Sequence, residues 1–88
     1  MDTKQKLDLM DKILREFDDL KNSQTSVLKK IAQVEEHNIN LGIDMLNEEL
    51  PGIHEEIDGA IQKITTLQEK FADYRNDFAR DNPIAENQ

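Results

Sequence analysis

Residues 37–44 of this chain read His37-Asn38-Ile39-Asn40-Leu41-Gly42-Ile43-Asp44, and the fold turns on them. Asn38, Asn40 and Gly42 are weak helix formers suited to a bend. They stand near the middle of the 88 residues, between two long apolar stripes. Before the segment, apolar residues recur at alternating steps of three and four: Met10, Ile13, Phe17, Leu20, Val27, Ile31 and Val34, reaching Leu41 and Met45. Gln24 and Asn38 are the two polar exceptions on that stripe. After the segment the stripe is Leu50, Ile53, Ile57, Ala60, Ile64, Leu67, Phe71, Tyr74 and Phe78, with no polar break. This spacing is a heptad, the mark of helices that wrap one another along an apolar seam. Strict period-two alternation is absent, so the sequence predicts an all-α fold, a long antiparallel helical hairpin of coiled-coil type.

The expected boundaries are a helix over about 4–39, a bend at about 40–43 and a helix over about 44–81. Together they form one hairpin domain over residues 1–81. Pro51-Gly52 is a rival breaker, because Pro removes a helical donor and restricts the residue before it. A kink or restart is therefore expected at Pro51. A bend at Gly42 pairs Met10 with Tyr74, Ile13 with Phe71, Phe17 with Leu67 and Leu20 with Ile64, and it brings both chain ends level. A bend near Pro51 also preserves the heptad but leaves the first helical residues without partners. Each arm is then roughly 37 residues, about 55 Å long. After Arg80 the pattern lapses, and residues 82–88 read as a flexible tail that Pro83 separates from the helix.

The stripes hold more apolar surface than one seam needs. Leu7, Leu14 and Leu28 flank the first stripe and Ile61 flanks the second. A widened stripe suits a helix with two neighbours. The hairpin is therefore expected to dimerise into a four-helix bundle, and a hetero-oligomeric bundle with another protein satisfies the same faces. Phe71, Tyr74 and Phe78 are the largest apolar side chains at the open end and the natural anchors of such an interface. A polar residue in a helical core can fix register or oligomeric state, because mismatched packings leave it unsatisfied. Gln24, opposite the small Ala60 in the expected register, and Asn38, in or beside the bend, are the candidates.

Charge is uneven. Nineteen Asp and Glu against eleven Lys and Arg give a net charge of -8. No Lys or Arg occurs from Ile31 through Gln62, a stretch that holds Glu35, Glu36, Asp44, Glu48, Glu49, Glu55, Glu56 and Asp58. Those eight acids equal the whole net charge, since the remainder holds eleven acids and eleven bases. The hairpin thus has an acidic bend end and a balanced open end. Such a cluster keeps a narrow bundle soluble, and it also favours docking to a basic partner protein. An acidic phage- or plasmid-type inhibitor or antitoxin covering a basic site is accordingly an alternative function. The sequence pI near 4.6 argues against direct binding of nucleic acid.

The residue types that carry chemistry are sparse. There is no Cys, and Ser23 and Ser26 lie in a polar helical stretch with no His nearby in sequence. His37 and His54 lack the spacing of a zinc or di-iron bundle site: Val34 and Pro51 stand three residues before them, where a Glu-x-x-His motif needs Glu. Both are expected to face solvent. The sequence predicts a non-enzymatic protein without cofactor, catalytic residue or metal, acting on other proteins through its apolar heptad faces. No apolar run exceeds two residues and no signal peptide is visible, so no membrane insertion is expected and the default location is cytoplasmic. In length, in its two heptad arms and in the central Gly of Asn40-Leu41-Gly42, the chain resembles the WXG family of type VII secretion substrates. It departs where Asn40 occupies the Trp position and where Tyr74 is followed four residues later by Phe78 rather than an acid. That resemblance implies leaderless export as a secretion-system substrate, or a secretion chaperone, as a further alternative.

Overall fold

The computed structural model describes residues 1–83. Helix α1 spans Thr3–Leu41 and helix α2 spans Asp44–Asp81, antiparallel and packed as a hairpin; the described residues contain no strand. The part of the expected tail from residue 84 onward lies outside the described residues.

Local chemistry sets each end of α1. Asp2 accepts from the Gln5 backbone N–H at 2.8 Å, while the Gln5 side chain accepts from the Asp2 N–H at 2.9 Å. This reciprocal box satisfies two of the donors that a helix start leaves open. No Gly or Pro interrupts the next 39 residues. Gly42 ends α1 in the left-handed region (φ 65°, ψ 36°), its N–H donating to the Asn38 carbonyl at 2.7 Å. Only a residue without Cβ takes that conformation at little cost. Ile43 is extended, and α2 opens with Asp44 in its first turn, where the helix dipole favours a negative charge. At the far end Asn82 caps α2, both its backbone and its side-chain N–H groups reaching the Phe78 carbonyl.

The turn therefore falls at Gly42, and the expected restart at Pro51 does not occur. Pro51 is the eighth residue of a continuous α2. An interior proline costs about 3 kcal/mol through its lost hydrogen bond and ring clash. Here the turns before it are tied to α1: Asn38 grips Ile43 and Asn47, and Leu50 is buried. The segment N-terminal to Pro51 is thus held from outside its own helix.

The molecule is a rod of 65 × 17 × 16 Å with a radius of gyration of 19.8 Å. A compact chain of this length would have a radius near 12 Å. A rod two helices wide has one seam and no enclosed centre. Its only buried residues among those described are Leu7 and Leu50, each 8% exposed, and Asn38, 4% exposed.

The seam itself differs from the one the apolar stripes suggest. In α1 it runs Leu7, Met10, Leu14, Phe17, Lys21, Gln24, Leu28, Ile31, Glu35, Asn38; in α2 it runs Leu50, His54, Ile57, Ile61, Ile64, Gln68, Phe71, Arg75, Phe78. Every one of these is buried or half-buried. Leu7, Leu14, Leu28 and Ile61, expected on the outer flank, lie inside the seam. Conversely Leu20, Val27, Val34, Leu41, Ile53, Leu67 and Tyr74, expected within it, are exposed. Each helix is turned by roughly 60°, about one heptad step, from the orientation that buries most apolar surface. The pairing moves accordingly: Phe71 meets Phe17 edge-on, ring centroids 6.1 Å apart at 87°, rather than Ile13. In this rotation polar bonds cross the seam from α2 to α1.

Candidate protein interface

The two flanks of the seam have opposite chemistry. On one flank, polar seam residues of α2 reach acids of α1. Arg75 donates through Nε to Asp11 Oδ1 at 2.8 Å and through Nη2 to Asp11 Oδ2 at 3.2 Å. Gln68 Nε2 donates to Asp18 Oδ1 at 2.7 Å and to the Leu14 carbonyl at 3.3 Å. Glu35 Oε1 and His54 Nδ1 lie 2.7 Å apart. His54 is therefore half-buried and partnered, in contrast to the solvent-facing role expected of it, while His37 is exposed. Stepping by seven, the rest of this flank is Thr25, Ala32 and Ile39 on α1 and Pro51, Asp58, Thr65, Ala72 and Ala79 on α2, with Ile39, 80% exposed, as its large apolar side chain at the bend.

The opposite flank is apolar throughout. Stepping by seven from Ile13 gives Leu20, Val27, Val34 and Leu41; stepping by seven from Leu46 gives Ile53, Ala60, Leu67 and Tyr74. In an antiparallel pair, equivalent flanking positions of the two helices fall on the same side, so these ten residues share one face of the rod. Tyr74 is 60% exposed, Leu67 52% and Leu20 47%. Tyr74 stacks on the seam residue Phe71, with centroids 6.2 Å apart and rings inclined by 10°. Exposed apolar residues scattered singly are ordinary, but a continuous strip along a whole rod marks a surface built to be covered.

At the bend, Asn38 uses its whole amide. Nδ2 donates to the Ile43 carbonyl at 3.2 Å and to Asn47 Oδ1 at 2.8 Å, and Oδ1 accepts from the Ile43 N–H at 2.9 Å. It is 4% exposed, and the described residues hold no buried side-chain polar atom without a partner. Gln24 is half-buried in the seam near the middle of α1. Of the bend-end acids, Glu36, Asp44, Glu48, Glu49, Glu55, Glu56 and Asp58 are exposed, and Glu35 is drawn toward His54.

Of the three aromatic anchors, Phe71 and Phe78 are half-buried and Tyr74 stands on the open strip. The apolar stripes of the sequence put nine of the ten strip residues in the seam and omit Leu46, and they carry no sign of the crossing pairs Asp11–Arg75 and Asp18–Gln68. The spacing of His54, Gln68 and Arg75 at multiples of seven was the available sign of a polar seam position. No group of three or more His, Asp or Glu that could hold a metal is present among the described residues. No helix among them is long and apolar enough to cross a membrane. No known protein family, curated protein or solved structure matches the chain.

Proposed function

We propose that this protein is a non-enzymatic assembly module that works by offering its apolar flank to further helices, completing a four-helix bundle. One observation carries the reading: the polar flank finds its hydrogen-bond partners within the hairpin, whereas the apolar flank is continuous and uncovered. Helices of a bundle bury two sides each, and the strip supplies the second side of both arms. Burial is worth about 25 cal/mol per Å² of apolar area, so a strip of this length is a large driving force left unspent by the hairpin alone. Among the described residues the narrow rod offers no deep cleft in which a carboxylate could be desolvated for catalysis, which favours a binding role.

The test is a charged substitution on the strip, Leu20→Asp with Leu67→Asp, set beside Thr25→Asp on the polar flank. Both variants should retain the helical circular-dichroism signal. The strip variant should lose at least a hundredfold in affinity for its own copies or for its native partner, by sedimentation equilibrium or titration, while Thr25→Asp should not. Unchanged association of the strip variant would refute the reading.

A further inference from the structure

We infer that the occupant of the apolar flank is a second copy of this chain, stacked with its bend at the opposite end and with the two-fold axis passing close to Gln24. The inference rests on the assembly role proposed above and specifies the partner. Three observations support it: the size of the face, the distribution of charge, and the position of the one polar residue between bend and open end on the stripe bordering the strip.

The face suffices for a dimer. The strip runs along a rod 65 Å long and 17 Å wide, a face long enough to accommodate the roughly 800 Å² per partner of a standard stable interface. A symmetric dimer presents the same patch from both copies, and a continuous apolar strip is complementary to itself.

Charge decides the direction. The stretch 31–62 at the bend holds eight acids and no Lys or Arg, whereas the rest of the chain holds eleven acids and eleven bases and is balanced. Stacking with both bends at one end would bring sixteen acids together. Opposite-ended stacking lays each acidic half along a half that carries bases, and it puts the two bends several Debye lengths apart, at about 8 Å each in physiological salt.

Gln24 decides the axis. It lies within one helical turn of the midpoint of α1, on the side of the seam that borders the strip. With bends at the same end, α1 of one copy lies over α2 of the other, and the Gln24 amide faces the apolar Ala60, Ile61 and Ile64, while Gln62 and Lys63 at that level stand on the exposed side of α2. With bends at opposite ends, α1 lies over its own copy. Gln24 near the two-fold then meets Gln24 of the second molecule. An amide is both donor and acceptor, so it can pair with itself. One self-complementary polar residue at the centre of an apolar face sets orientation and register in the way a core Asn does in coiled coils.

The native chain has no Cys, so single-cysteine variants report cleanly. In Met45→Cys carrying a spin label at the bend, the interlabel distance should be about 50 Å from the helical rise on either side of Gln24. Bends at one end would place the labels about 20 Å apart, given helix spacings near 10 Å. Gln24→Cys should form an intermolecular disulfide with oxidised glutathione, and Gln24→Glu should weaken the dimer at least tenfold at neutral pH where Gln24→Leu does not. A short distance overturns the stacking direction. A long distance without the Gln24→Cys cross-link overturns the axis. A chain that is monomeric at millimolar concentration overturns the second copy as occupant; Leu20→Asp with Leu67→Asp, assayed against the native partner, then decides separately whether the flank binds a different protein.

Discussion

The two sides of the hairpin seam are built from the same helices, at the same length, with opposite solutions to burial. On the polar side, Arg75, Gln68 and His54 extend from α2 to Asp11, Asp18 and Glu35, and every bond closes within the chain. On the apolar side ten consecutive heptad positions carry Ile, Leu, Val, Ala or Tyr, most of them exposed. Burying the second side and exposing the first would remove more apolar surface from water. The hairpin instead commits its polar groups internally and holds its apolar ones outward. Polar pairs specify which helix faces meet, because a wrong rotation leaves charges unpaired, while apolar contact is indifferent to partner. The inner seam thus holds the polar bonds between the helices, and the outer strip holds apolar surface that the hairpin leaves exposed.

The most demanding way to break this contrast is to remove a strip residue and ask whether the loss depends on concentration. In the hairpin alone Leu67 is about half exposed, so Leu67→Ser should cost about 1 kcal/mol there, half of a leucine's burial already being absent. Covered in an assembly, the same change should cost about 2–3 kcal/mol per copy. Thermal unfolding over a wide concentration range separates the cases, because association raises Tm by mass action. The gap between wild type and Leu67→Ser should widen as concentration rises, and a constant gap would mean that nothing covers the strip.

Asn38→Ala should fall next, at about 2 kcal/mol, since three hydrogen bonds to Ile43 and Asn47 vanish from a buried site. This effect belongs to the bend, so it should be the same at every concentration in chemical denaturation. A concentration-dependent loss would mean that Asn38 acts at the outer face rather than in the turn.

The sequence carries these features unequally. Two helices and a turn at Gly42 follow from periodicity and from the weak helix formers around it, and these local signals survive in the structure. The pair Asp2 and Gln5, spaced as a capping box requires, marks the helix start to the residue. Rotation about each helix axis was not legible in the same way. Apolarity alone ranks Ile13, Leu20, Val27 and Val34 above Leu14, Lys21, Leu28 and Glu35 as seam residues. What accompanies the second set is pairing between residues up to 64 positions apart, such as Asp11 with Arg75, together with the Asn38 clamp. Periodicity along one helix contains no record of its partner's charges, so a stripe of the right period can be assigned to the wrong side. The restart at Pro51 is absent for a related reason, because the bonds that hold the turns before it come from the other helix.

The smallest expected effect tests the polar flank. Arg75 and Asp11 make a two-pronged bond, yet their side chains are 28% and 37% exposed, so water and salt compete with it. Exposed pairs contribute roughly 0.2–1 kcal/mol, and Arg75→Gln should lower stability by about 0.5 kcal/mol on that scale. The loss should shrink as salt rises, because screening already weakens the wild-type pair. Association should be untouched, since the pair lies on the side away from the strip. The informative comparison is therefore between two measurements on one variant: a small, salt-sensitive change in Tm beside an unchanged sedimentation profile. If Arg75→Gln alters the oligomeric state instead, the polar bonds are holding the helices in the rotation that presents the strip, and the two flanks are coupled rather than independent. The size of that change would then measure how strongly the inner seam sets the outer face.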